Sequence, residues 1–294
     1  MRDAGFSRAV VIILIAILLF DIQGAIIKFL GDRYGIPQIA TFRNIFGLLP
    51  ALLLVYLART GVRGPARFRL RQWPLAVLRG ASIACAQYCL YLSLTLMEFA
   101  TASTLAFAGP LFITALSVPI LRHHVGAVRW LAVIVGFVGI VLVMRPRGDI
   151  FQWVSLLPIC AAFGYGLSSV LVRLFDDAST TAVINFHTTL SALVFTFLLM
   201  LATDSYITVS SVEDWMWMLL MGLVGGMAVF SLIAAYRLTL PSNLSPFEYF
   251  GIPFSFVIGW VVFGEAPFER LIPGVFLIVG GGLLIFWRER RPVK

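Results

Sequence analysis

Charged residues are what this chain has least of. Asp, Glu, Lys and Arg make up 12% of its 294 residues, about half the usual quarter of a soluble protein. Hydrophobic residues make up 60%, and mean hydropathy is +0.97. A water-soluble core cannot hide that much apolar surface, so the solvent for most side chains is lipid. Histidine and cysteine are also scarce, at three each. Cys85, Cys89 and Cys160 all lie within apolar runs, with no metal spacing and no disulfide framework, and no cofactor is expected. There is no Walker motif, so the chain does not carry its own ATP-driven step. Paired carboxylates, metal-ligand clusters and Ser-His-Asp arrangements are missing near any plausible site. The only handle for a membrane-embedded acyltransferase or protease is His123-His124, beside Arg122 in a short loop suited to lipid-surface contact. A channel would need a charged ring or a carbonyl filter, and neither motif is present. The 22 basic residues outnumber the 14 acidic ones, but they form no stripe interleaved with exposed aromatics. Nucleic acid is therefore excluded as a partner.

What the chain does have is apolar runs. A helical span needs about 20 mostly apolar residues, and ten candidates fit: 8–30, 36–58, 73–96, 99–121, 126–145, 150–173, 179–202, 214–237, 241–263 and 269–287. The first continues through Ile26 without a small-x-small cleavage site and reads as a retained helix rather than a signal peptide. Connections are short and leave no room for a soluble domain. With the N-terminus inside, fifteen Lys and Arg residues fall in inner segments and five in outer ones, including Lys28 and Arg33. Both termini are therefore expected in the cytoplasm, with Glu98 in an outer loop. Trp130, Trp153, Trp215, Trp217 and Trp287 lie near span ends as interfacial anchors.

The chain also repeats itself. A shift of 143 positions places Phe107 on Phe250 and Pro110 on Pro253. A shift of 144 places Phe42 on Phe186 and Arg43 on His187, 145 places Lys28 on Arg173, and 142 places Gly139 on Gly281. Two units result, 1–146 and 147–294. Five spans per unit is an odd number, so the second copy enters the membrane from the opposite side. The predicted fold is all-α and polytopic, with ten transmembrane helices in two inverted five-helix repeats. Gly/Pro-broken segments at matching places in two halves point to a midplane substrate site. Here those segments surround Pro110 and Pro253, each expected to bend its helix.

Arg43 in the second span, Pro110 and Pro253 in the fourth and ninth, and Gly264-Glu265 after the ninth resemble the drug/metabolite transporter superfamily. Within it, the chain is similar to EamA-type bacterial exporters such as the aromatic amino acid exporter, over nearly its whole length. It departs from the pattern at Arg122-His123, where the family often carries Glu, and at His187, where Arg43 would recur. The resemblance implies a multi-pass protein of the bacterial inner membrane, monomeric or weakly dimeric. It also implies alternating-access export of amino acids, aromatic or otherwise apolar, or of related metabolites, either coupled to a proton or driven by the substrate gradient. Another metabolite class or a drug-like cation is the alternative substrate.

Charges inside spans are costly and mark function by default. Asp21 and Arg43 lie at matching depths of the first hairpin and are expected to pair, either structurally or as part of coupling. His187, set opposite Gly166, is either a neutral, hydrogen-bonded core residue or a proton site. Glu248 sits between Pro246 and Pro253, either as a substrate or proton site or as the partner of Arg79. Both lie roughly 9 Å below the inner surface, which predicts an inner latch with no outer counterpart. Phe107, Phe250, Tyr249, Phe230, Tyr91 and Tyr165 lie on the helices that line the cavity in this family, with Gln87, Ser168 and Ser169 as polar handles.

Overall fold

The computed structural model describes residues 2–57, 64–122, 127–144, 153–176, 179–238, 250–265, 274–277 and 279–280, with Leu244 and Phe247. Ten helices cover most of them. They are α1 (Arg2–Gly31), α2 (Ile36–Leu57), α3 (Trp73–Leu96), α4 (Phe99–Ala106), α5 (Gly109–Leu121), α6 (Ala127–Met144), α7 (Leu156–Leu171), α8 (Thr181–Ala202), α9 (Val212–Leu238) and α10 (Gly251–Phe263). Lipid offers no partner for a backbone amide, so a spanning chain must satisfy its own hydrogen bonds, and helices do so within one segment.

Among the described residues, seven segments are long and apolar enough to cross a membrane, and Gly251–Phe263 is a shorter apolar helix. The seven correspond to the first four and the sixth to eighth expected spans. The fifth is the helix α6, and of the tenth only 274–277 and 279–280 are described, as helix. The outward faces of these helices are apolar, with Ile15, Leu53, Leu78, Leu131, Leu198 and Val261 among the exposed side chains, as a lipid solvent requires.

The fourth span is interrupted rather than bent. Helix α4 ends at Ala106, Phe107 and Ala108 form a turn, and α5 starts at Gly109. Pro110 is in the first turn of α5 and lacks the N–H that would have donated to the Ala106 carbonyl. Pro253 is likewise in the first turn of α10 and is exposed.

Helix packing repeats when the two halves of the chain are exchanged. Helix α1 packs along α9 as α7 packs along α3, and α2 packs on α9 as α8 packs on α3. The contacts of α2 with α8 and of α4 with α10 map onto themselves. Small residues set these approaches, as is usual between helices in lipid. Gly222 and Gly226 of α9 lie against Phe46 and Pro50 of α2, and Gly164 of α7 lies against Ala86 of α3. The α1–α2 hairpin, by contrast, has little contact between its arms. The core is therefore built from helices distant in sequence. One cluster joins Ile27, Leu30, Tyr91, Phe99, Met218 and Met221, and another joins Ala9, Ile13, Ile17, Ala235 and Leu244.

Candidate functional site

Polar side chains inside the bundle gather where α1, α2, α3, α7 and α8 meet. Asn44 of α2 and Gln87 of α3 exchange amide hydrogen bonds, Asn44 Nδ2 to Gln87 Oε1 at 2.9 Å and Gln87 Nε2 to Asn44 Oδ1 at 3.1 Å. Asn44 Nδ2 also donates to Thr196 Oγ1 of α8 at 3.3 Å. Arg43 donates to Asn44 Oδ1 at 3.1 Å, but its Nε is buried without a partner. Gln23 of α1 donates to the Tyr91 hydroxyl at 3.4 Å. Arg43 is also within electrostatic reach of Tyr91 and Tyr165. The arrangement puts a guanidinium, two phenols and an amide pair in a region that the sequence makes otherwise apolar.

The expected Asp21–Arg43 pair is not formed. Asp21 is buried and its Oδ2 has no partner, and Arg43 turns to Asn44 instead. Equal depth along two helices does not fix rotation about their axes, and these two helices pack on α9 and α8 rather than on each other. Asp21 lies between Ile17, which approaches Gly251, and Gly24, which approaches Phe99. Its carboxylate therefore sits on the α1 face turned to α4 and α10.

Gln87 is not a free handle, because both its amide atoms are held by Asn44. Ser168 is buried, and its carbonyl accepts from Arg79 Nε at 3.0 Å. A second Arg79 nitrogen donates to Thr188 Oγ1 of α8 at 2.8 Å. Glu248 and Tyr249 lie outside the described residues, so the Arg79–Glu248 latch stays a sequence expectation. Ser169 donates to the Tyr165 carbonyl at 2.8 Å. Tyr91 is buried, while Phe230 and Phe250 are exposed. Phe250 stacks on Phe247 and lies tilted to Phe254, and Phe107 reaches Gly251 from the α4–α5 turn. His187 places Nδ1 3.0 Å from the Val183 carbonyl, so that nitrogen carries the proton of the bond. Gly166 packs against Phe112 of α5 rather than opposite His187.

Two ion pairs form at the end of the bundle where α1 stops, at positions other than the Gly222 and Leu105 that the repeat sets opposite Arg79 and Glu248. Lys28 at the end of α1 bonds Glu265 Oε1 at 2.6 Å and the Met97 carbonyl at 2.8 Å. Glu265 Oε2 accepts the Phe99 N–H at 2.7 Å. Nearby, Arg33 bonds Asp214 at 2.8 Å, and the Tyr34 hydroxyl donates to the same carboxylate at 2.7 Å. Both pairs join residues 181 or more positions apart, beyond the reach of spacing arguments. Asn44, Thr196 and Thr188 carry a weaker sequence signal for a different reason. Neutral polar residues in spans are less conspicuous than charges, although an intramembrane Asn beside an Arg is itself a signal. Among the described residues, no three His, Cys, Asp or Glu side chains gather as a metal site.

The model of the EamA-like transporter family matches this chain twice, over residues 7–145 and 152–287. A riboflavin transporter of Vibrio cholerae is 28% identical over 89% of this chain and 87% of that protein. An S-adenosylmethionine uptake transporter of Rickettsia prowazekii is 25% identical over 100% of this chain and 98% of that one. A crystal structure matches with a TM-score of 0.67 and 21% identity over 97% of this chain and 99% of the other, a likeness of fold.

Proposed function

The chain belongs to the EamA-like transporter family, and on that premise we propose that this multi-pass membrane transporter takes up a flat heteroaromatic metabolite by alternating access. Ten spans in two inverted repeats, 1–146 and 147–294, with both termini in the cytoplasm of a bacterial inner membrane, form its frame. The observation that carries the mechanism is the packing of α1 on α9 and of α7 on α3, the same contact made twice with the halves exchanged. Two units related in that way can rock about a fixed midplane site. The interrupted fourth span supports the same reading, because irregular backbone at membrane depth is tolerated where it lines a cavity.

The substrate class draws on the relatives. Riboflavin and S-adenosylmethionine share a flat nitrogen heterocycle and a hydroxylated five-carbon sugar unit, which favours uptake of such molecules over amino acid export. Phe107, Phe230, Phe250, Tyr91 and Tyr165 suit a flat ring. Arg43 and Asp21, each with a buried polar atom free of partners, suit polar substituents or a coupling proton.

Proteoliposomes preloaded with unlabelled substrate and offered labelled riboflavin, S-adenosylmethionine or tryptophan, with and without an imposed proton gradient, test this. Saturable counterflow of either heteroaromatic compound is the expected result. Counterflow of tryptophan alone restores the amino acid reading, and non-saturable flux of all three refutes a carrier.

A further inference from the structure

We propose that the Lys28–Glu265 ion pair is the lock on the outer side of this transporter, and that the equivalent inner corner is built without one, so that the resting carrier is closed to the outside. The proposal rests on the orientation and the inverted repeats given under the proposed function.

Three helix ends meet at the pair. Lys28 is in the last turn of α1, Met97 and Phe99 form the α3–α4 corner, and Glu265 follows α10. Lys28 Nζ is 2.6 Å from Glu265 Oε1 and also donates to the Met97 carbonyl at 2.8 Å. The second carboxylate oxygen accepts the Phe99 N–H at 2.7 Å, one of the free amides at the start of α4. Helix α10 is stopped beside it by Gly264 in the left-handed conformation, φ 67°, and the Glu265 N–H donates to the Gly259 carbonyl at 2.9 Å. That turn aims the carboxylate back at α1 and α4. Phe263 closes the corner from the apolar side, 5.2 Å from Lys28 Nζ and 5.8 Å from the Phe99 ring.

Every one of these polar bonds to Glu265 side-chain oxygens joins the first half of the chain to the second. Movement of one repeat against the other at this end must break them together. The two side chains are only 14% and 21% exposed. Separation therefore strands both charges unless water enters, and entry of water from that side is what opening means. The sidedness follows from the positive-inside orientation, which puts Lys28, Glu98 and Glu265 outside.

The repeat relation shows what the opposite corner has instead. A shift of 145 turns Lys28 into Arg173, and one of 143 turns Glu265 into Arg122. Arg173 lies in the 3-10 turn after α7 and Arg122 caps α5 with φ 54°. Both are exposed, and among the described residues neither forms an ion pair. Two like charges stand at the positions where the outer corner pairs opposite ones. The asymmetry favours an outer side that is shut and an inner side that is free to open.

The test uses full-length protein with Cys85, Cys89 and Cys160 changed to Ala, carrying Ala102→Cys. Ala102 is fully buried one turn beyond Phe99, so a membrane-impermeant maleimide reaches it from outside only when that side opens. Losing a charge-assisted contact of this kind predicts about tenfold faster labelling in Glu265→Gln and in Lys28→Met. The double variant should be no faster than either single one, because the pair is already lost. Unchanged rates in both singles, or effects that multiply in the double, overturn the lock. Lys28→Arg, which keeps the charge and the fold, should label at the parental rate. A cysteine placed at Lys294 separates the two readings. If external maleimide labels it, the orientation fails and the outer lock is overturned with it.

Discussion

Asn44 and Gln87 hold each other by two amide hydrogen bonds of 2.9 and 3.1 Å across α2 and α3, both side chains at 2% exposure or less. Removing one partner strands the other in a place water does not reach. Gln87→Leu should lower stability by about 1–3 kcal/mol, and Asn44→Leu with Gln87→Leu should recover part of the loss. Thermal unfolding midpoints in detergent decide it. A double variant less stable than the sum of the singles would show that the amide pair is not the unit involved.

Gly80 marks a close approach of α3 to α8. An added Cβ would stand 2.9 Å from the Ala192 nitrogen and the Thr188 carbonyl oxygen, backbone atoms that cannot swing aside. Gly80→Ala is expected to destabilise by about 1–3 kcal/mol through overpacking. It should also disturb the Arg79–Thr188 bond one residue away. Parental stability and transport in this variant would mean that the two helices slide apart at no penalty.

Asp21 separates stability from function. Its carboxylate has a buried oxygen with no partner, which a fold would not keep for strength alone. Asp21→Leu should leave the unfolding midpoint unchanged or higher while abolishing substrate accumulation in proteoliposomes. Full transport by this variant would remove Asp21 from the coupling machinery.

The loop after α1 predicts an alkaline limit. Burial, and then the hydrogen bond to and charge of Asp214, push the Tyr34 hydroxyl above its ordinary value. The folded state thus favours the protonated phenol. Its contribution is complete below the unfolded value of about 10 and is lost as pH rises through the higher folded value. Stability should therefore fall above about pH 10 more steeply in the parent than in Tyr34→Phe, measured as unfolding midpoints between neutral and strongly alkaline buffer. Equal slopes would count against the Tyr34–Asp214 bond as their source.

Orientation has its own check. Reporter fusions at Lys294 and within the loop at Glu98 should report the cytoplasm and the outside, respectively. A fusion at Lys294 that reports the outside contradicts both the ten-span count and the inversion of the second repeat.

Membrane residence, seven of the expected spans and the doubling of the chain could be read from residue order. Each has a local or periodic cause: a helix in lipid satisfies its own backbone, and its apolar length states how far it reaches. The proline at 110 was legible as a local disturbance of the helix, expected as a bend and found as an interruption, because a missing N–H acts within one turn. Partner choice was not legible. Asp21 and Arg43 share a depth, yet α1 lies on α9 and α2 on α8, so rotation about each axis sends the two charges to different neighbours. That rotation is set by where Gly222, Gly226 and Gly164 let helices approach, contacts made with residues of the other half. Lys28 and Glu265, 237 positions apart, became a pair only because tertiary packing brought the ends of α1 and α10 to one corner. Sequence determined which segments enter the membrane, and packing between the two halves determined which of their polar groups meet.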